Sequence, residues 1–243
     1  MGKLDGSIAV IAGGTGTVGE GIVRAFLREG ATVIVPSRSS EKIVALCNYL
    51  SEVNTDNLIT LIGNIGEPAG AEKILEEILN RYGKIDAMVA SLGGSWEKGL
   101  PITKVPIDTW REYWENNLTA HFVAAKVFLP VLANNPGSSY TLLGGLSAVL
   151  AIPYYSPVAV NSAGQLMMAK ILIEEMKESG VRINQVMFGF INTRERAAYA
   201  RQEWVTADEV GNFIAYLASK EAYMINGGVI QLGDKPKIKT KTN

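Results

Sequence analysis

The chain has 243 residues, 47% of them hydrophobic, which supplies one sizeable core and, at this length, one α/β domain spanning 1–243. Its 23 lysines and arginines nearly cancel 24 aspartates and glutamates, so no net field favours nucleic acid, a membrane surface or a strongly charged partner. One cysteine excludes an internal disulfide, and the first apolar run, Ile8 to Ala12, is too short for a signal core or a membrane span, so the protein is read as soluble and cytoplasmic. Seven short β-rich runs follow in order: Ile8 to Ala12, Thr32 to Val35, Leu58 to Leu61, Ala87 to Ala90, Tyr140 to Leu143, Arg182 to Met187 and Val229 to Leu232. Helical stretches separate them, which predicts a doubly wound parallel seven-stranded sheet.

The helices carry recognisable stops. Gly30, Gly83 and Gly180 stand where Gly19–Glu29, Ala71–Tyr82 and Pro157–Ser179 should end in a left-handed cap, and Ser156 with Pro157 should start the last of these. Cys47 sits among Ala45, Leu46, Tyr49 and Leu50, a pattern that predicts a core thiol. The basic tail from Lys235 to Asn243 is expected to be a solvated end beyond a core of about 4–234.

The first strand runs directly into Gly13-Gly-Thr-Gly-Thr-Val-Gly19. Residues without bulky side chains let backbone N–H groups approach phosphate oxygens at a helix N-terminus, so this loop is a candidate dinucleotide site. The second strand ends in Ser37-Arg38-Ser39. A small residue followed by arginine leaves space and charge for a 2′-phosphate, where a carboxylate would repel it, so NADP(H) is expected over NAD(H).

With these residues in view, the chain resembles the short-chain dehydrogenase/reductase family from about Leu4 to Asp234. The glycine loop is similar to TGxxxGxG, with Thr17 in place of the middle glycine. Asn64-Ile65 resembles the adenine-contacting Asp-Val, and Ile85-Asp86-Ala-Met-Val-Ala-Ser-Leu-Gly93 resembles IDVLVNNAG, with Ala90 and Ser91 in place of both asparagines. Asn117-Leu-Thr119 matches the helix asparagine motif, and Arg182 to Thr193 resembles RVNxVxPGxxxT, with Phe188 in place of proline. The resemblance implies a Rossmann-type fold. It also implies a cofactor site built from Gly13, Thr15, Gly16, Thr17, Val18, Gly19, Ser37, Arg38, Ser39, Asn64, Ile65, Ala90, Gly93, Ile191 and Thr193. Members pair through the helices matching Trp110–Leu129 and Pro157–Met176, so a homodimer or homotetramer is expected.

The chemical end departs from that pattern. The family's tyrosine and lysine lie one turn apart on a helix, where the ammonium depresses the phenol pKa. Counting from Ala163-Gly164, those positions hold Val158 and Ser162, and the family's serine position holds Gly145. Of four catalytic groups only Asn117 remains, with Tyr154, Tyr155 and Ser147 as residues that could turn into the cleft; Asn117 and Tyr155 are the catalytic candidates. Lys170 lies roughly 12 Å further along the helix axis than Ser162, too far to share its pocket. His121, one turn beyond Asn117, is expected in a subunit interface, and Asp86 is expected to be structural. No cluster has metal-ligand spacing. The segment between Thr193 and Thr206 is a short, charged lid that excludes water poorly, and Trp96 and Trp204 are candidates for its opening. Three functions follow: an NADP(H)-dependent oxidoreductase acting on a small molecule such as an imine or conjugated alkene, a nucleotide-binding sensor or partner of an active paralogue without turnover, or a non-redox enzyme on the same scaffold.

Overall fold

The computed structural model describes residues 2–94 and 99–234, so Trp96 and the basic tail lie outside the described residues. Seven parallel strands form one sheet in the order β3-β2-β1-β4-β5-β6-β7. They are β1 Ile8–Ala12, β2 Thr32–Ser37, β3 Leu58–Ile62, β4 Ala87–Ala90, β5 Ser139–Gly145, β6 Arg182–Phe188 and β7 Val229–Leu232. The order reverses between β1 and β4, whose register runs Ala9 with Ala87 to Ala12 with Ala90. The crevice at the carboxyl ends of these two strands is where an open α/β sheet takes a ligand.

Both faces of the sheet are covered. One core lies beneath α1 (Gly19–Arg28), α2 (Ser40–Tyr49) and α7 (Ala207–Ala218), with Phe26, Leu46 and Ile214 at its centre. The other lies beneath α3 (Pro68–Tyr82), α5 (Ala120–Ala133) and α6 (Ser156–Glu175), with Ile78, Phe128 and Tyr140 inside. Each such apolar side chain contributes roughly 1.5–3 kcal/mol on burial. β2 runs two residues beyond its predicted end, through Pro36, because β1 pairs only with Thr32 to Ile34 and has turned away before the missing proline N–H would be needed.

Gly30 and Gly83 close their helices as expected. Gly30 N–H donates to Leu27 O and Ala31 N–H to Phe26 O, the paired bonds of a left-handed C-terminal cap. Two boundaries differ from the sequence pattern. α6 ends at Glu175, and Gly180 instead turns the chain against Pro136. Ser156 is the first residue of α6 and its buried hydroxyl makes no capping bond. The expected helix from Trp110 to Leu129 is α4 (Ile107–Trp114), a π turn (Glu115–Thr119) and α5 in succession. Cys47 is exposed: Leu46 and Leu50 take the inward positions of α2, and one residue of helical rotation carries the thiol to solvent. Among the described residues no helix is long and apolar enough to cross a membrane.

Candidate active-site cleft

The cofactor end begins where β1 enters the glycine loop. Gly13 has φ 81°, and a Cβ there would collide with the carbonyl of Ser91 at the end of β4, so a side chain would separate the loop from the strand beside it. Gly14 and Gly16 N–H groups bond inside the loop, to Ile11 O and Gly13 O. The amides of Thr15, Thr17 and Val18 donate to no group among the described residues, at the N-terminus of α1. These are the free donors that a pyrophosphate requires, so the residues present fit a dinucleotide.

Beyond the loop, Ser37 is buried and its hydroxyl donates to Ser39 O while accepting from Ser39 N–H, which rounds the end of β2. Arg38 is exposed and reaches across the strand ends to donate to Asn116 Oδ1 at 2.9 Å. Ser39 caps α2 by accepting from Lys42 N–H, and its hydroxyl donates to Glu41, an acid close to the expected 2′-phosphate position. Asn64 Oδ1 accepts from Gly66 N–H, so it shapes the turn after β3, and Ile65 is buried in the second core. Ala90 has no exposed surface; the residues that follow it, Ser91 to Gly94, line the cleft in its place.

A cavity of about 450 Å³ runs from Gly16–Gly19 past Ser91–Gly94, Gly144–Ser147 and Tyr155 to Phe188, Phe190, Ile191 and Thr193. Apart from Glu195 and Arg196 after β6, its lining holds no ionised side chain among the described residues. Val158 and Ser162, expected from the sequence at the tyrosine and lysine positions, both line it. Tyr155 lines the cavity. Tyr154 does not: it has φ 69° and is 56% exposed, the backbone having turned it outward.

Asn117 lines the cavity, yet its side chain is committed to the backbone. Its amide donates to Tyr113 O at 2.7 Å and its Oδ1 accepts from Gly94 N–H, bracing the loop after β4 from the π turn, a kind of helix irregularity common at functional sites. His121 is buried within this chain, which corrects the interface expectation: its position on α5 faces inward, under the cleft floor. Its Nε2 lies 3.2 Å from Leu92 O, and Gln165, which donates to Leu143 O, sits 3.1 Å from that nitrogen. Burial pushes the imidazole down to about 4, with the Leu92 carbonyl opposing, so it is neutral at physiological pH. Asp86 accepts from Ile8 N–H, Lys84 and Asn135; burial opposes ionisation, but these donors together hold the carboxyl below its ordinary range, as a structural acid.

Glu20 was not singled out from the sequence. It lies buried in the first turn of α1 and pairs with Arg194 Nε at 3.0 Å, tying the glycine-loop helix to the lid after β6. Burial pushes its carboxyl up to about 7 against the pull of Arg194. Only an acid near a glycine loop marked it in the sequence, and nothing local announced that it would be inside. The lid has one 3₁₀ turn, Arg194–Arg196, before α7, and Trp204 stacks on Phe190 at 5.2 Å, supporting a cleft residue without lining the cleft. No group of metal-ligating side chains occurs among the described residues.

A family model described as enoyl-(acyl carrier protein) reductase matches residues 13–233. The chain belongs to the short-chain dehydrogenase/reductase family. Among its relatives in that family, the 3-oxoacyl-[acyl-carrier-protein] reductase FabG of Escherichia coli is 25% identical over 242 residues, 95% of this chain and 97% of the relative. Short chain aldehyde dehydrogenase 1 of Euphorbia lathyris is 24% identical, covering 93% and 86% of the two chains. Two solved short-chain dehydrogenase/reductase structures share the fold. One, a putative member from Burkholderia xenovorans, has a TM-score of 0.83 at 21% identity, covering 96% of this chain and 97% of its own. The other, from Mycobacterium ulcerans, scores 0.86 at 19% identity, covering 94% and 89%.

Proposed function

We propose that the protein is an NADP(H)-dependent oxidoreductase that reduces activated small-molecule acceptors without the family's ionisable proton donor. The observation that carries this reading is the cleft itself: it joins the free amides of the glycine loop to a floor where Val158, Ser162 and Gly145 stand at the catalytic positions. The bound cofactor would supply a hydride. Thr15, Thr17 and Val18 would hold its pyrophosphate, and Arg38, steadied by Asn116, its 2′-phosphate. A bound acceptor would lie among Leu92, Leu146, Val158 and Phe188, which keep water from its apolar side. An acceptor already activated by conjugation or protonation needs less acid catalysis than a plain ketone. The missing groups also favour a second reading, a nucleotide-binding protein without turnover.

We further propose a homodimer or homotetramer through α5 and α6, where Phe122, Met167 and Ile171 are about half exposed on one apolar surface. A cytosolic setting, with a reducing pool for exposed Cys47, completes the proposal.

The test is one purified sample. Titration should give tighter binding of NADPH than NADH, light scattering at micromolar concentration a dimer or tetramer, and NADPH oxidation should be faster with cyclohex-2-en-1-one or 1-pyrroline than with cyclohexanone. Binding with no oxidation of any acceptor would move the protein to the second reading, and a monomeric mass would remove the assembly.

A further inference from the structure

The hydroxyl missing at position 145 is replaced in space by two others. A Cβ built on Gly145 would sit 3.0 Å from Ser147 Oγ and 3.4 Å from Ser162 Oγ, so both hydroxyls converge on the volume a side chain there would enter. Ser147 comes from the turn after β5 and Ser162 from the second turn of α6. Ser147 Oγ donates to Ser162 Oγ at 3.3 Å, and both residues line the cleft. Ser162 accepts that bond, while its own O–H has no acceptor among the described residues. The pair therefore leaves one unused donor inside the cavity.

We infer that Ser162 is a catalytic hydrogen-bond donor, with Ser147 as its positioning residue, and that the substrate class is an α,β-unsaturated carbonyl compound. This rests on the reading of the cleft as a reductase site. A serine hydroxyl does not ionise in the physiological range, so it stabilises an oxyanion by hydrogen bonding but is a poor proton donor to an alkoxide. A conjugated carbonyl asks only for the former. As a hydride adds to the β-carbon, the C=C electron pair shifts toward the carbonyl and gives an enolate whose oxygen accepts from Ser162. The enolate then takes a proton from water at its α-carbon, so that enone, NADPH and one proton give saturated ketone and NADP⁺. A protonated imine fits the donor less well, because its nitrogen has no lone pair left to accept.

The experiment follows NADPH oxidation and NADPH fluorescence with cyclohex-2-en-1-one, 1-pyrroline and cyclohexanone. The enone should be the fastest acceptor. Ser162→Ala should lower kcat for it about 10²-fold, the scale of removing one oxyanion donor, with NADPH affinity and melting temperature unchanged. Ser147→Ala should lower kcat about tenfold with little change in KM, and Ser147→Thr should restore it. Retention of kcat within threefold in Ser162→Ala, failure of Ser147→Thr to rescue, or faster turnover of 1-pyrroline would overturn the inference and leave the reductase reading intact. If the unmutated protein turns over none of the three, the reductase reading fails. The hydroxyl pair is then judged by enone binding to the NADPH complex, which Ser162→Ala should weaken about tenfold; equal binding, or none, removes it as well.

Discussion

The two ends of the cleft are built on different principles. At the glycine-loop end the free polar groups are backbone amides, and the side chains serve mainly by being small: Gly13 must lie against Ser91 O, and no Cβ fits between them. At the other end the polar groups are mostly side chains, gathered from the turn after β5, from α5 and from α6. Backbone sites tolerate few sequences because the main-chain path is the site. Side-chain sites can vary around an unchanged path: Ser147 and Ser162 converge on the space beside Gly145 without any change in the course of β5.

That contrast can be broken most directly by installing the groups that the family pattern carries. Val158→Tyr with Ser162→Lys and Gly145→Ser should raise NADPH-dependent reduction of cyclohexanone by 10²–10⁴-fold, the usual worth of a positioned acid. The lysine removes one of the two hydroxyls that crowd a Cβ at 145, and Ser147 Oγ at 3.0 Å must rotate aside. No gain, with the fold and NADPH affinity preserved, would show that the chemical end has diverged beyond these three positions.

A smaller effect sharpens the other end. Arg38→Ala should remove most of the preference for NADPH over NADH, about tenfold or 1.4 kcal/mol, while NADH affinity stays the same. Glu41, close to Ser39, keeps an acid nearby and sets a ceiling on that preference. Equal loss for both cofactors in titration would place Arg38 at the shared part of the nucleotide instead.

The smallest effects are on stability, and they oppose each other at the two ends. His121, lowered from 6.5 to about 4, stabilises the fold above pH 6.5 and loses that contribution as pH falls through 4. Glu20, raised from 4.5 to about 7, stabilises below pH 4.5 and loses its contribution as pH rises through 7. Each is worth on the order of 1–3 kcal/mol, several degrees of melting temperature at most. Glu20→Gln should therefore gain on the unmutated protein at pH 8 and not at pH 4, and His121→Gln should flatten the melting curve between pH 6.5 and 4. Parallel pH profiles for all three proteins would sink both assignments.

Much of this was legible in the chain. The strand and helix alternation, the stops at Gly30 and Gly83 and the glycine loop all depend on periodicity, backbone conformation or spacing, which short stretches of sequence carry by themselves. What the sequence did not carry was the direction of single side chains and contacts between distant segments. Cys47 faces out and His121 faces in because one residue of helical rotation separates core from solvent. Ser147 meets Ser162 across 15 residues, Gln165 meets His121 across 44 and Arg38 meets Asn116 across 78. Only packing of the helices on the sheet brings such pairs together, because no local preference acts over those separations. The glycine loop was thus fixed by local backbone geometry, whereas the pair of hydroxyls beside Gly145 exists only once α6 has docked beside the end of β5.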